Sequence, residues 1–291
     1  MPPSGCSVII NRLSGTYSEK KVEQVKAFLE KHGLPPRIFL LDDFTEIVQV
    51  TRRISVEHQN PLIIVGGGDG TINGVLNGIS PGAATIAVLP FGTSNVLTRE
   101  LNIYSVDDAL QRIARGVSRT ASVGMIEKGS ERKYFLLMAG IGFDGFVVQG
   151  VLTREKRILG KAAYVLSALR HLLHWEKSRM VINAGTRTFQ CHTIIVCNAS
   201  KYAGEFKMAP GASLFDPQFE VVCLQKGTRY TYLKAATKLL MGKALSGPDF
   251  CCFRTGELTI SGDKPVQVDG DYYCHGPLKI SIVPEYLRLI V

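Results

Sequence analysis

The 291-residue sequence lacks several features that would place it in a specialised class of protein. Its seven cysteines are scattered, odd in number and without a C-x-x-C pair. They fit neither a disulfide framework nor a zinc site, and they favour a reducing compartment. No basic segment followed by an apolar run opens the chain, and no run approaches the ~20 apolar residues that span a bilayer. We therefore expect a soluble, cytoplasmic protein whose contact with membranes is peripheral.

Acidic side chains are fewer than basic ones, and this difference is unevenly distributed along the chain. Lys and Arg total 34 against 25 Asp and Glu, a net charge of +9. Residues 1–125 hold 12 basic and 11 acidic residues (+1), whereas residues 126–291 hold 22 and 14 (+8). This distribution predicts that the second part of the chain faces an anionic partner. Nucleic acid is a poor candidate, because no nucleic-acid-binding motif and few interleaved aromatic residues are present.

The first 125 residues alternate between strand and helix patterns, which predicts an α/β domain with a mostly parallel sheet. Apolar runs predict buried strands at Ser7–Ile10, Arg37–Leu41, Leu62–Val65 and Thr85–Leu89. Helical spacing of apolar residues predicts helices at Glu19–Lys31 and Glu46–Glu57. Ligands bind at the carboxyl ends of strands in open α/β sheets. We therefore expect three strand-end loops, residues 11–15, 66–70 and 90–93, to share one crevice.

Residues 126–291 consist mainly of short β-type runs separated by turns, which predicts an antiparallel sandwich or barrel-like domain. The predicted strands are Lys133–Ala139, Arg179–Ala184, Thr188–Cys197, Phe219–Leu224, Glu257–Ile260, Val266–Val268 and Leu278–Val283. Two helical patterns, Arg157–Trp175 and Tyr230–Leu245, interrupt them. The prediction is thus a domain at 1–125 and a β-rich domain at 126–291, with room for the last strands to return to the first.

The densest local motif is the glycine-rich run VGGGDGTIN at Val65–Asn73. Glycines after a buried strand let the backbone adopt positive φ and approach a ligand closely. A helix beginning near Thr71 would direct its N–H groups and the positive end of its dipole at a phosphate. No Walker-type lysine follows, so backbone amides would hold that phosphate. The alternative is a tight strand-to-helix turn without a ligand.

Two further loops repeat this design of strand, polar loop and helix. Thr93, Ser94 and Asn95 precede a helical segment, Val96–Leu101, which they could cap or from which they could reach a nucleotide. Taken alone, capping is the better interpretation. Asn11, Ser14 and Gly15 form the third loop. Three such loops at one sheet edge favour a phosphate-binding crevice.

The segment Gly140–Gly145 matches G-x-G-x-x-G, but we reject a dinucleotide site there. It lies in the β-rich half, and no parallel strand ending in a ribose-binding acid follows. A turn with close backbone packing is the better interpretation.

Six segments taken together resemble the diacylglycerol kinase catalytic-domain family, which includes diacylglycerol kinases, sphingosine kinases and bacterial YegS/DgkB-like lipid kinases. They are, in order, IINRLSG, GGGDGTINGVLNGI, LPFGTSNVLTRELNI, AGIGFDGFV, KRILGKAAYVLSALRHL and VDGDYY. NAD kinases share GGDGT alone. GGDGT followed by GTxN and a late Asp-Gly-acid is more specific, and the match extends from Ile9 to the C-terminal strands.

The resemblance implies a nucleotide cleft between an α/β domain and a β-rich domain that acts on the lipid. It implies that ATP phosphates contact Asn11, Ser14, Gly15, Gly67, Gly68, Asp69, Gly70, Thr71, Asn73, Thr93 and Asn95. It makes Asp271, in Asp269-Gly270-Asp271, the acceptor of the hydroxyl proton, and Asp69 the second catalytic acid. It also implies a Mg²⁺-holding turn with Asp216 as side-chain ligand and the carbonyls of Ser213 and Gln218 as helpers.

The sequence departs from the family pattern at three positions. Val96 stands where many members have Asp, Pro217 replaces a glycine, and Asp271 replaces Glu. The expected function is ATP- and Mg²⁺-dependent phosphorylation of a hydroxyl of diacylglycerol or a related membrane lipid. One alternative is a soluble kinase resembling NAD kinase. The other, motivated by the three departures, is a nucleotide- or lipid-binding protein without turnover.

The stretch Arg154–Arg187 is a candidate for membrane contact, because basic residues surround leucines and the only tryptophan, Trp175. Such a helix can lie on an anionic bilayer, here the inner face of the membrane. A helix packed on its own domain with a solvated basic face is the equal alternative. The identity of the lipid and the existence of a homodimer stay open.

Overall fold

The computed structural model describes residues 6–151, 162–173 and 178–291, which form two compact units. The first comprises residues 6–122 together with Pro284–Val291, and the second comprises Val123–Val283. Within the described residues, no helix has the length and apolar character needed to cross a membrane.

The first unit is built on a parallel sheet. Its strands are β1 (Cys6–Asn11), β2 (Arg37–Leu41), β3 (Leu62–Gly67) and β4 (Thr85–Pro90), in the order β2-β1-β3-β4. Beyond β4, Arg288 and Leu289 pair in parallel with Thr85 and Ile86, so the carboxyl-terminal residues complete this sheet. Residues Ile63, Ile64 and Val65 of β3 are fully buried. An uninterrupted apolar run is typical of a parallel strand that is covered on both faces.

Five helices follow the strands of this unit: α1 (Glu19–Lys31), α2 (Phe44–Glu57), α3 (Asp69–Leu76), α4 (Val96–Glu100) and α5 (Val106–Arg115). Three of them begin at a side-chain cap, because an oxygen on the preceding residue accepts a first-turn N–H. Ser18 accepts from Lys21, Asp43 accepts from Thr45 and Glu46, and Ser105 accepts from Asp108. The Asp43 cap explains why α2 begins at Phe44 and not at Glu46 as predicted.

The second unit contains most of the strands: β5 (Ser118–Lys128, which starts in the first unit), β6 (Glu131–Phe135), β7 (Met138–Ile141), β8 (Met180–Ala184), β9 (Arg187–Cys191), β10 (Thr193–Cys197), β11 (Lys201–Tyr202), β12 (Phe206–Lys207), β13 (Phe219–Leu224), β14 (Phe250–Thr255), β15 (Glu257–Ser261), β16 (Pro265–Val268), β17 (Asp271–His275) and β18 (Leu278–Ile290, which ends in the first unit). Its described helices are α6 (Phe143–Gln149), α7 (Ala162–Leu173) and α8 (Arg229–Leu240). The rest of the predicted helix Arg157–Trp175 lies outside the described residues.

Two layers of antiparallel strands form the body of the second unit. One layer has the order β14-β13-β10-β7-β16-β17, and the other contains β18-β15-β8-β9 with β5 and β6. Buried side chains from both layers, such as Ile141 and Phe219 from one and Ile182 and Leu258 from the other, pack in one core. This is the arrangement of a β-sandwich. The predicted fold class, an α/β domain followed by an antiparallel β-rich domain, is confirmed.

Two predicted strands are each divided into two in the structure. Lys133–Ala139 becomes β6 and β7, because the backbone N–H groups of Leu136 and Leu137 turn toward the carboxylate of Asp269. Thr188–Cys197 becomes β9 and β10, separated at His192. The predicted helix Tyr230–Leu245 ends at Leu240, since Gly242 adopts a left-handed conformation (φ +66°) that terminates α8.

Candidate active site

Three loops at the carboxyl ends of β1, β3 and β4 contact one another. Asn11 Nδ2 donates to Thr71 Oγ1 at 3.2 Å. The N–H and hydroxyl of Thr16 both donate to the Phe91 carbonyl, at 2.9 and 3.0 Å. A Cβ atom on Gly15 would lie only 2.5 Å from Thr93 Oγ1. The structure thus brings together the three loops that the sequence singled out.

The glycine-rich loop differs from its predicted conformation. Gly66, Gly67, Gly68 and Gly70 do not have positive φ, so that expectation was wrong. The need for glycine at Gly66 and Gly67 arises from crowding. A Cβ on Gly66 would lie 3.0 Å from Ile10 Cγ1, and one on Gly67 would lie 2.5 Å from Thr71 Oγ1. Helix α3 begins at Asp69, two residues before the predicted start.

Gly68 and Gly92 bring the second and third loops into contact. A Cβ atom on Gly92 would overlap the Cα of Gly68 and lie 2.7 Å from Asn95 Oδ1. A Cβ atom on Gly68 would lie 3.5 Å from the Cα of Gly92, an ordinary van der Waals distance. The backbone of Gly68 is extended (φ −88°, ψ −178°), a conformation open to any residue. The fold therefore requires glycine at position 92 but tolerates alanine at position 68.

This difference permits a test of ligand approach at the glycine-rich loop. We expect Gly68→Ala to leave the melting temperature within a few degrees of wild type but to weaken ATP binding at least ~10-fold, because the methyl group would lie beside the Cα of Gly92 and narrow the space between the second and third loops, where a phosphate would approach. Differential scanning fluorimetry and isothermal titration calorimetry measure the two quantities. Gly92→Ala is the matched control, and it should lower the melting temperature itself. Unchanged ATP affinity in Gly68→Ala would show that no phosphate approaches this residue.

Asp69 connects the second loop to the third. Its Oδ2 accepts the N–H of Val96 and its Oδ1 accepts the N–H of Leu97, both at 3.1 Å. These are first-turn N–H groups of α4, so Asp69 caps that helix from a distance in sequence. Val96, which replaces an acid of the family pattern, has a buried side chain and contributes only its N–H here.

The cap of α4 corrects the interpretation of the third loop. Asn95 is the N-cap residue, in the left-handed conformation (φ 51°) that asparagine tolerates, but its side chain does not cap the helix. Its Nδ2 donates to the Gly92 carbonyl at 2.8 Å. Its Oδ1 is buried without a hydrogen-bond partner among the described residues. This oxygen faces the Gly92 backbone, where a Cβ atom would lie 2.7 Å from it, and this is one reason why position 92 requires glycine.

The remaining predicted nucleotide contacts occupy different environments. Thr93 and Gly15 are exposed, and Ser14 is half-buried. Asn73 is buried within α3, where its Oδ1 accepts from Asn77 Nδ2 at 3.1 Å. Lys21, which the sequence reading did not select, donates from Nζ to the Thr16 carbonyl at 2.7 Å and places a cation beside the first loop.

In the second unit, the turn between β16 and β17 presents Asp271. Asp269 anchors the turn: its carboxylate accepts the N–H groups of Leu136, Leu137 and Met138 at 2.9 to 3.0 Å. Gly270 follows with φ +91°, and its N–H donates to Gln267 Oε1 at 2.8 Å. The conformation of Gly270 requires glycine. Asp271 is exposed at the first position of β17. Hydrogen bonds of Asp269 and Gln267 hold the backbone of the turn, so the Asp271 side chain is not needed for that purpose.

The amine of Lys133 on β6 interacts electrostatically with the carboxylates of this turn. Burial lowers the pKa of the Lys133 amine, and the carboxylates of Asp269 and Asp271 act against that shift. The turn therefore combines an exposed carboxylate with a half-buried cation. The strand pattern did not reveal Lys133, because a lysine on a predicted strand is ordinarily a solvent-facing residue.

Behind the turn lies a buried polar chain that the sequence reading missed. Gln267 Nε2 donates to Asp144 Oδ2 at 2.6 Å, and the Tyr202 hydroxyl donates to Asp144 Oδ1. Asp144 belongs to Gly140–Gly145, where crowding agrees with the predicted close backbone packing. A Cβ on Gly145 would collide with the Pro265 carbonyl, and one on Gly140 with the Asp144 carboxylate.

The buried Asp144 makes stability depend on pH. Burial raises the pKa of Asp144 above its ordinary value of 3.8, against the effect of its two hydrogen bonds. The folded protein thus holds this proton more tightly than the unfolded chain. Its contribution to the free energy of unfolding is complete at low pH and is lost as pH rises through the raised pKa, at up to ~1.4 kcal/mol per pH unit.

We expect the free energy of unfolding of Asp144→Asn to fall less than that of wild type as pH rises. The amide is neutral at every pH, and it can accept from Gln267 while donating to the Tyr202 hydroxyl. Urea denaturation at a series of pH values measures the difference. Glu257→Gln, at an exposed carboxylate of the same unit whose ion-pair partner Lys279 stays charged over this pH range, is the control and should follow wild type. If the free energies of unfolding of wild type and Asp144→Asn differed by the same amount at every pH, this account would be contradicted.

The predicted metal turn at Ser213, Asp216 and Gln218 has a competing cation. Arg254 Nη2 forms an ion pair with Asp216 Oδ2, and the Ser213 carbonyl accepts the Asp216 N–H at 3.0 Å. Carboxylate and carbonyl oxygens are ligands of hard cations. The guanidinium occupies Oδ2, so a metal ion would bind Oδ1 next to this cation or would displace it, and this part of the site stays a prediction.

Comparison with known proteins agrees with this architecture. Residues 6–126 match the diacylglycerol kinase catalytic domain, and residues 138–291 match the YegS C-terminal NAD kinase beta sandwich-like domain. A diacylglycerol kinase of Bacillus subtilis is 29% identical over 219 residues, 72% of this chain and 71% of the relative. One of Staphylococcus carnosus is 25% identical over 273 residues, 91% and 88% of the two chains. A solved structure of a candidate diacylglycerol kinase from Bacillus anthracis superimposes with a TM-score of 0.81 at 20% identity, covering 100% of this chain and 98% of the other.

The fold and the domain matches define a kinase with an α/β unit and a β-sandwich unit. The chain belongs to the diacylglycerol kinase-like lipid kinase family of the YegS/DgkB type.

Proposed function

We propose that this enzyme transfers the γ-phosphoryl group of ATP to a hydroxyl group of diacylglycerol or a related membrane glycerolipid. The observation that carries the proposal is the mutual contact of the three loops in the first unit, with the amino terminus of α3 among them. The relatives described above, which are named diacylglycerol kinases, support the choice of acceptor.

The first unit suits a nucleotide's phosphates. The first-turn N–H groups of α3 and the positive end of its dipole attract anions, and Gly68 leaves them open to close approach. Lys21 adds a positive charge beside the loop at residues 11–15, in a chain without a Walker-type lysine. We assign this unit to nucleotide binding.

The second unit suits the acceptor. Phosphoryl transfer demands positioning, neutralisation of charge and a group that takes the hydroxyl proton. Asp271 is exposed on a rigid turn and can accept that proton, while Lys133 can offset negative charge nearby. The side chain of Asp271 is one methylene group shorter than the glutamate of the family pattern. The acceptor hydroxyl would therefore have to lie closer to the backbone of the turn. We assign the proton-accepting role to Asp271.

Magnesium is expected to accompany the nucleotide, where it neutralises phosphate charge during transfer. Each oxygen of Asp69 accepts one backbone N–H of α4, which leaves one lone pair on each oxygen for a hydrated magnesium ion. The role that fits Asp69 is to hold the second and third loops together. We further propose that the enzyme works at the cytoplasmic face of the membrane, as a peripheral protein.

Release of ADP from ATP, measured with a panel of acceptors, tests the proposed function. Diacylglycerol in mixed micelles should stimulate ADP release, whereas NAD and an assay without acceptor should not. Stimulation by NAD alone would indicate the soluble-kinase alternative. ATP binding without stimulation by any acceptor would indicate a protein without turnover.

A further inference from the structure

Helix α8 has one face that is fixed against the second unit. Thr231, Tyr232 and Ala235 are buried on this face. The Tyr232 hydroxyl lies 2.6 Å from Thr193 Oγ1, and its ring centroid lies 4.4 Å from that of Phe143. These contacts set the rotation of the helix about its axis, and therefore decide which side chains point away from the unit.

The opposite side of α8 is exposed and mainly apolar, with the polar Thr237 between its two pairs of large apolar side chains. At about 100° per residue, the side chains of Tyr230, Leu233, Leu240 and the following Met241 fall on the side opposite Tyr232 and Ala235. They are between 56% and 73% exposed. Large apolar side chains exposed one at a time are ordinary, but four in one stripe form a patch of the kind that marks an interaction surface.

The chain segment that carries this stripe is rich in cations. Residues 221–248 contain no Asp or Glu, but they contain the cations Lys226, Arg229, Lys234, Lys238 and Lys243. The buried Asp249 pairs with Lys226 at 3.2 Å and with Lys234 at 2.8 Å, so it offsets only part of the charge. Lys238 donates to the carbonyl of Ser246 at 2.9 Å, which holds its charge next to the carboxyl end of the helix.

We propose that the apolar stripe of α8 and its flanking cations, here called the α8 face, dock the protein onto an anionic lipid bilayer. The inference rests on the proposed function, because a lipid kinase must reach its acceptor in a membrane. Leu233, Leu240 and Met241 would enter the acyl boundary, Tyr230 would lie at the headgroup level, and the cations would contact lipid phosphates. This proposal is separate from the candidate membrane contact at Arg154–Arg187.

A bilayer explains the α8 face better than a protein partner does. The face combines a narrow apolar stripe with cations along its flanks, the pattern of a helix that lies in a membrane interface. It is the convex surface of a single packed helix, which can lie flat on a bilayer. Long lysine side chains can extend along the apolar surface toward headgroups.

Vesicle sedimentation with the full chain tests the proposal. We expect tight binding to vesicles with about one third phosphatidylglycerol and weak binding to pure phosphatidylcholine. The double variant Leu233→Asp/Leu240→Asp should weaken binding to anionic vesicles at least ~10-fold, because two apolar side chains no longer leave water. The control Val56→Asp/Tyr104→Asp changes two exposed apolar residues of the first unit and should bind like wild type. Lys243→Glu should reduce binding, and Arg53→Glu on α2 should not.

Two further readouts separate the outcomes. Equal binding by the Leu233→Asp/Leu240→Asp variant and wild type would overturn the proposal, as would a loss of self-association in that variant without a loss of vesicle binding. Short-chain diacylglycerol, used below the concentration at which it aggregates, should be phosphorylated equally by wild type and variant. Absence of any kinase activity would refute the proposed function, while the vesicle measurement would still decide the role of the α8 face.

Discussion

Replacement of Asp271 by asparagine is expected to lower the rate of phosphoryl transfer by ~10²–10⁴-fold, the usual consequence of losing a general base. The amide has nearly the same size but cannot accept a proton at neutral pH. Because Asp269, Gln267 and Gly270 hold the turn, the fold should tolerate the change. The measurement is kcat with diacylglycerol in mixed micelles, together with ATP affinity by calorimetry, which should be unchanged.

Two other variants sharpen this expectation. Asp271→Glu restores the commoner family residue and should keep or raise kcat if the reach of the side chain limits the reaction. Asp269→Asn is the structural contrast, since its carboxylate accepts three backbone N–H groups and has no assigned chemical role. It should lower the melting temperature. Near-normal turnover in Asp271→Asn would remove Asp271 from the mechanism.

Local patterns were sufficient to predict most of the first unit. The bounds of α1 and β2 agree with the prediction, because apolar spacing and continuous apolar runs are set within the segment itself. Helix α5 was equally readable, with Ser105 at its start and the left-handed Gly116 at its end, yet the sequence prediction omits it. That omission reflects an unused signal and not a limit of the sequence.

The polar network of the second unit could not be read in this way. Asp269 accepts from backbone groups more than 130 positions earlier in the chain, and Gln267 reaches Asp144 over 123 positions. No local spacing encodes such partners, because the strand order brings them together. The sequence pointed to Asp271 through a family motif, but the residues that hold it required the fold.

The glycine-rich loop shows a third kind of limit. The density of glycines correctly predicted a place where backbone segments approach closely, but we attributed it to positive φ. Steric crowding is the actual cause, and a sequence cannot distinguish the two because both require glycine. The partner of Asp69 was equally hidden. A carboxylate in GGDGT suggests contact with a phosphate or a metal ion. In the structure, both carboxylate oxygens of Asp69 accept backbone N–H groups of α4.

This arrangement gives Asp69→Asn an effect different from that of Asp271→Asn. Asparagine has one carbonyl oxygen, so its amide group would face the N–H of Val96 or Leu97 and leave that donor unsatisfied. Hydrogen bonds to charged groups contribute ~1.5–3 kcal/mol each. We expect ATP affinity to fall ~10- to 100-fold, with a melting temperature lower by several degrees, because α4 and the third loop lose their anchor.

Calorimetric ATP titration and thermal unfolding measure these changes, and Glu57→Gln provides the control. Glu57 pairs with Arg37 in the same unit at 2.8 Å, outside the three loops, and both side chains are exposed. An exposed ion pair of this kind contributes little, so Glu57→Gln should bind ATP like wild type. If Asp69→Asn binds ATP normally and loses only the chemical step, Asp69 acts directly on the reacting groups and the roles of Asp69 and Asp271 are reversed. The two aspartates are therefore distinguished by what each loses: affinity and stability at Asp69, and rate alone at Asp271.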